Sequence, residues 1–256
     1  MKTQLADGVL TVAIDRPERM NALTAEVMEQ LADAIGDAAT DDRVTVVVLA
    51  GDERAFCTGA DLQTADVLGE DAAVAGATID SANRLVAAIV QSPKPVVTLA
   101  RGAVAGVGVP IALAADLVLC EEKTYFMLSF TKVGLMPDGG ASAVVAASVG
   151  RARALRMALL AERLTAADAL AAGLVTHVAP EGAFAAMAAQ VLATLTSGPR
   201  VAFRRTKEAI NRATLGGLED AFHRERAGQI GLLAAHDFAE GSAAFREKRT
   251  PAFTDR

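Results

Sequence analysis

The chain has no tryptophan and a single tyrosine among its 256 residues. An aromatic cage for a quaternary cation, or a stacking platform for nucleic-acid bases, has almost nothing to be built from. Basic charge is also in deficit: 25 Lys and Arg stand against 31 Asp and Glu, a formal net charge of -6. A protein that neutralises a phosphate backbone needs the opposite balance, so nucleic acid is not an expected partner. The two cysteines, Cys57 and Cys120, are too few for a disulfide framework and read as small core residues in apolar stretches. No apolar run reaches the roughly 20 residues that span a bilayer. The start, Met1-Lys2-Thr3-Gln4, opens no charged-then-apolar targeting pattern. The expected compartment is the cytoplasm, with no membrane partner.

Several catalytic signatures are missing as well. There is no Gly-Lys-Ser/Thr phosphate loop, no Gly-x-Ser-x-Gly elbow, no His-Glu-x-x-His and no paired-cysteine motif, so no metal site is expected. Gly106-Val107-Gly108 lacks the third glycine of a dinucleotide fingerprint and does not follow the first strand. The three histidines, His177, His223 and His236, all lie beyond the first two-thirds of the chain and read as surface or packing residues.

What is present is apolar material: 52% of the residues are hydrophobic, many of them alanine, which favours helix and close packing. Residues 8–14 read as a short strand. Thr24 to Ala39 carries the i, i+3, i+4 spacing of a helix, with Thr24 as its cap. Val44 to Ala50 and Val96 to Ala100 are nearly continuous apolar runs, the pattern of strands buried on both faces. A helix fills 72–91, Pro110 suits the first turn of another, and Leu117 to Cys120 is a further strand. Strand and helix alternate up to about residue 120, which predicts an α/β fold with a mostly parallel sheet. From 139 onward the pattern is mainly helical apart from 174–178, and the residues after Pro199 form a helical layer. The division expected is a core over 1–198 and a helical region over 199–256.

Two glycine-bearing loops, Phe56 to Leu62 and Gly106 to Gly108, follow the buried strands at 44–50 and 96–100. In a parallel sheet both emerge at one edge, where backbone N–H groups can approach a ligand carbonyl. Two such donors make an oxyanion hole; turn formation alone is the simpler role for these glycines.

Here the sequence becomes specific. Asp15-Arg16-Pro17-Glu18-Arg19-Met20-Asn21-Ala22-Leu23, Ala55-Phe56-Cys57-Thr58-Gly59-Ala60-Asp61-Leu62 and Gly102 to Asp116 are similar to ordered motifs of the enoyl-CoA hydratase/isomerase (crotonase) family. Phe126 to Gly140, Ala167 to Val178 and Glu240 to Phe253 continue the series in order and spacing. The resemblance covers nearly the whole chain. It implies a spiral of β-β-α units with a C-terminal helical trimerisation region, in a trimer or a dimer of trimers. It also implies an acyl-CoA thioester as substrate, with no cofactor besides.

The resemblance makes the N–H groups of Ala60 and Val107 the oxyanion donors. It makes Ala60, Asp61, Leu62, Gln63, Gly106, Phe130, Phe245 and Lys248 substrate-binding, with Phe245 and Lys248 reaching coenzyme A, often from a neighbouring subunit. Hydratases of the family place two glutamates across the enoyl group; this chain has Pro110 and Phe130 at those positions, and neither transfers a proton. The ionisable residue left in the segment is Asp138, in Gly134-Leu135-Met136-Pro137-Asp138-Gly139-Gly140. By pattern alone it suits a helix N-cap. The resemblance to the family's isomerases, the ring-epoxide phenylacetyl-CoA isomerase most of all, implies a proton shuttle instead. The expected activity is a double-bond shift in an enoyl-CoA; hydration of the double bond, or acyl-CoA binding without turnover, are the alternatives.

Overall fold

The computed structural model describes residues 1–61 and 72–254, with side chains from residue 76 onward in the second stretch. Strands β1 (Lys2–Ala6) and β2 (Val9–Ala13) form an antiparallel hairpin, and helix α1 (Ala25–Thr40) follows. Thr24 caps α1: its Oγ1 accepts from Val27 N–H at 3.3 Å. The apolar stripe read from the sequence is its buried face, Met28, Leu31, Ala32 and Ile35.

The centre of the chain repeats one unit. β3 (Val46–Ala50), β4 (Ala55–Cys57) and α2 (Ala72–Gln91) are the first turn. β5 (Val96–Ala100), β6 (Ala103–Ala105) and α3 (Gly108–Leu113) are the second. β7 (Leu117–Glu121), β8 (Tyr125–Met127) and α4 (Ala141–Leu160, broken at Gly150) are the third. In each, the first strand enters a six-stranded sheet of order β1-β2-β3-β5-β7-β10, and the second enters a four-stranded sheet of order β4-β6-β8-β9. β9 (Leu164–Thr165), α5 (Ala166–Ala171) and β10 (His177–Ala179) close both sheets. Apart from the β1–β2 and β8–β9 pairs, neighbouring strands are parallel.

The alternating β-α units expected from hydrophobic patterning are therefore β-β-α units. The two glycine loops follow β4 and β6 of the small sheet, not β3 and β5 directly. The second strand of each unit is three residues long, too short to show a period of two.

β3 is buried on both sides, as its unbroken apolar run predicts. Val47 and Leu49 face the main core, while Val46 and Val48 face a second cluster with Phe184 and Ala188 of α6 (Phe184–Thr196). Among the described residues no helix is long and apolar enough to cross a membrane.

The C-terminal layer is α7 (Arg200–Thr214), α8 (Leu218–Leu233) and α9 (His236–Glu247). α7 is tied to the core by polar contacts. Lys207 Nζ donates to Ile89 O at 2.9 Å and to Asp116 Oδ2 at 3.0 Å, and Asn211 Nδ2 donates to Val90 O at 3.0 Å. These side chains satisfy carbonyls at the C-terminal end of α2, which have no partner within the helix. Burial lowers the Lys207 pKa and raises that of Asp116, so each charge relies on the other. Lys207→Ala is expected to strand Asp116 and cost about 3 kcal/mol, read as a lower denaturation midpoint with an unchanged m-value.

Candidate active site

The segment 15–23 is a turn wrapped against β4. Buried Asn21 holds it there: its Nδ2 donates to Ala55 O at 2.8 Å, and its Oδ1 accepts from Arg16 N–H at 2.9 Å. Asp61, 3% exposed, takes Nη2 of Arg16 at 2.9 Å and Nη2 of Arg19 at 2.7 Å. Arg16 also donates to Ala22 O. The two sequence motifs 15–23 and 55–61 are thus one structural device.

Its product is a local parallel bridge. Leu23 N–H donates to Gly59 O and Asp61 N–H donates to Leu23 O, both at 2.8 Å. In such a bridge the residue between, Ala60, points its own N–H to the other side. Ala60 lines the adjoining cavity there. The loop after β6 lies against it: a side chain on Gly106 would put its Cβ 3.2 Å from Gly59 Cα. Glycine permits this approach, and its φ of +54° suits glycine too. Gly106 N–H is spent on Met127 O, while Val107, which precedes α3, also lines the cavity. Among the described residues the Ala60 and Val107 N–H groups have no hydrogen-bond acceptor.

The cavity is about 490 Å³ and mostly apolar, a usual size for a small-molecule site. Ile79 and Ala82 of α2, Phe130, Leu135, and Leu233 of α8 contribute to its wall. Asp138 opens into it. The following glycines carry φ of +67° and +77°. A Cβ at Gly139 would meet Val107 Cγ2 at 2.9 Å, and one at Gly140 would meet Phe222 Cε1 at 2.7 Å. The Asp138 loop therefore packs directly on Val107.

Asp138 is not a cap for α4. That task falls to Glu225 of α8, 1% exposed, whose Oε2 and Oε1 accept from Gly140 N–H at 2.6 Å and Ser142 N–H at 2.7 Å. Asp138 Oδ2 instead accepts from Gln229 Nε2 at 2.9 Å. Desolvation pushes the Asp138 pKa up to about 7; the Gln229 hydrogen bond opposes the rise and the charge of Glu225 adds to it. A carboxyl near neutrality both takes and gives protons at physiological pH. Beside two free N–H donors, it is the equipment for moving a proton next to a polarised carbonyl.

A family model described as enoyl-CoA hydratase/isomerase matches residues 4–256. The chain belongs to that family. A probable enoyl-CoA hydratase of Rhodobacter capsulatus is 37% identical, over 100% of this chain and 98% of its own length. The 1,2-epoxyphenylacetyl-CoA isomerase of Escherichia coli is 34% identical over 97% and 96%. Among solved structures, an enoyl-CoA hydratase from Mycobacterium avium subsp. paratuberculosis K-10 is 53% identical, covers 99% of this chain and 98% of its own, and superposes with a TM-score of 0.91. The α/β architecture is the crotonase fold with its C-terminal helical region, and the protein is an acyl-CoA enzyme of the hydratase/isomerase family.

Within this crotonase fold, Ala60, Asp61, Gly106, Val107, Phe130, Asp138 and Phe245 line the same cavity. The Asp61 carboxylate accepts from the two arginines. Leu62 and Gln63 lie outside the described residues. Lys248 is exposed at the end of α9 and is not part of this cavity wall. Among the described residues no histidine lines it. Sequence reading missed Glu225 and Gln229. The signal was available: Leu218, Ala221 and Phe222 define the buried face of α8, and Glu225 and Gln229 continue that face with polar groups.

The raised Asp138 pKa has a stability consequence. Between the unfolded value of 3.8 and about 7 the folded protein holds the proton more tightly. Stability contributed by this group is therefore lost as pH rises through that window. Asp138→Asn, which keeps an acceptor for Gln229, is expected to gain on the wild type by about 2 kcal/mol between pH 5 and pH 8. Melting curves of the two proteins at both pH values measure it.

Proposed function

We propose that the enzyme shifts a carbon–carbon double bond in an enoyl-CoA, with Asp138 as the proton shuttle. The observation that carries this is the Asp138 carboxyl, raised to about 7, opening into a mostly apolar cavity beside the Ala60 and Val107 N–H groups. The thioester oxygen of a 3-enoyl-CoA accepts from those two N–H groups. Asp138 takes a proton from the α-carbon, the electrons move through a dienolate onto the thioester oxygen, and the carboxylic acid returns the proton to the γ-carbon. The product is the 2-enoyl-CoA; atoms balance without water or a further cofactor. Phe130 and the neighbouring apolar wall suit an apolar acyl group. The relative named 1,2-epoxyphenylacetyl-CoA isomerase supports chemistry of the isomerase kind.

Hydration is the second reading, favoured by the relatives named enoyl-CoA hydratase. It requires a group that activates water, and Pro110 and Phe130 occupy the positions where family hydratases carry glutamate. We also infer a homo-oligomer, trimeric or a dimer of trimers. Leu159, Leu160, Val201 and Ile210 are 56–67% exposed in the single chain, more apolar side chain than a monomer leaves in water without reason.

Incubation with 2- and 3-enoyl-CoA in heavy water, followed by mass spectrometry, tests the assignment. Interconversion with deuterium uptake and no added water mass is expected. Asp138→Asn is expected to lower kcat about 100-fold or more with KM within about threefold. Isomerase activity within about fivefold of wild type in Asp138→Asn would overturn the role of this residue, and a hydrated product would establish the second reading.

A further inference from the structure

The C-terminal helix α8 carries two polar side chains on its buried face, Glu225 and Gln229, one helical turn apart, and both reach the loop that bears Asp138. Their geometry is unambiguous about who donates. Met136 N–H can only donate, and it points at Gln229 Oε1 from 3.1 Å. The amide of Gln229 is thereby oriented, and its Nε2 is left to donate to Asp138 Oδ2 at 2.9 Å. Asp138 Oδ1 has no side-chain partner among the described residues. Glu225 grips the other end of the loop through Gly140 and Ser142 N–H. Met136, Asp138, Gly140 and Ser142 are thus held from α8 at alternate residues.

Building on the proposed isomerase reading, we propose that Gln229 and Glu225 are positioning residues of the reaction: Gln229 pins Oδ2 of Asp138 so that Oδ1 is the oxygen that exchanges protons with substrate, and Glu225 anchors the loop while setting the field around the carboxyl. The two act on Asp138 in opposite senses. The Gln229 hydrogen bond favours the carboxylate, and the buried Glu225 charge favours the acid. Burial raises the pKa of Glu225 itself, and the hydrogen bonds from Ser142 and Gly140 together with the charge of Arg224 oppose that rise and favour its carboxylate. Ionisable groups on other elements of the same cavity are Glu18, Arg19, Asp61, Tyr125 and Lys132. Arg19 and Asp61 are bound to each other.

Two near-isosteric variants separate this from a packing role. Gln229→Glu keeps the oxygen that accepts from Met136 but replaces the donor to Asp138 with a second carboxylate oxygen, which adds like charge beside it. Glu225→Gln keeps one acceptor for the loop but removes the charge. The readout is the titration of the Asp138 carboxyl carbon by NMR in the full-length, substrate-free protein labelled with 13C-aspartate and assigned with Asp138→Asn. The midpoint is expected to rise by about one pH unit in Gln229→Glu and to fall by about one in Glu225→Gln. The acidic limb of the pH–rate profile is expected to follow in the same directions. kcat of Gln229→Glu is expected to fall about tenfold with KM within about twofold. Melting temperatures confirm that each variant is folded.

Midpoints that stay at the wild-type value in both folded variants, or that move together, would overturn the proposal. The NMR arm needs no turnover, so it is independent of the isomerase assignment. If Asp138→Asn keeps its activity, the isomerase role fails while the carboxyl titration still reports whether α8 sets the charge of Asp138.

Discussion

A carboxyl group held in a mostly apolar cavity, with no ion-pair partner among the described residues, is the constraint around which this site is built. Burial alone would drive Asp138 toward its neutral form or make the loop swing out to water. The first occurs, raising its pKa to about 7; the second does not, because the loop is fixed on both sides of the residue. Gly139 and Gly140 adopt positive φ and fit between Val107 and Phe222 with no room for a side chain. The capping that an aspartate would ordinarily provide is delegated to Glu225. With that task assigned elsewhere, the carboxyl of Asp138 is free to face the cavity and to titrate near neutrality.

The second constraint is main-chain direction. A donor N–H pointing into a cavity is useful only if it is not drawn into the neighbouring hydrogen-bond ladder. The Leu23 bridge achieves this for Ala60 by engaging the residues on either side of it. The bridge in turn stands on Asn21 and on the Arg16–Asp61–Arg19 cluster. An exposed ion pair contributes little, but Asp61 is buried and receives two guanidinium groups, so its loss would leave the turn and the donor loop without a common anchor. Polar residues engaged with one another thereby decide which way the N–H points.

Sequence patterning made the long elements legible. The cap at Thr24, the buried runs of β3 and β5, the α2 helix and the helical C-terminal layer all carry signals long enough to have a period. The three-residue strands β4, β6 and β8 do not, and with them the whole second sheet escaped the patterning; the family resemblance alone implied a β-β-α repeat. The site divided along similar lines. Ala60, Val107 and Asp138 lie in motifs of local sequence and are brought to one cavity. Glu225 and Gln229 lie about 85 to 91 residues downstream of their partners, in a helix whose local pattern says only that one face is buried. Sequence spacing cannot announce a contact created by tertiary docking.

That docking changes how the C-terminal region is understood. The boundary near residue 198 reads as a division between a core and an assembly layer. Yet Gln229, Leu233 and Phe245 belong to the cavity wall, and Lys207 and Asn211 bind the layer to the end of α2. α2 itself contributes Ile79 and Ala82 to the same wall. The layer and the core therefore enclose the cavity together, and the helix that grips Asp138 is itself paired to α2 through Arg226 and Asp80. A displacement of the C-terminal helices would move the Gln229 donor and the cavity wall in one step. Whatever steadies that layer, including contact with another copy of the chain, steadies the geometry around Asp138 as well.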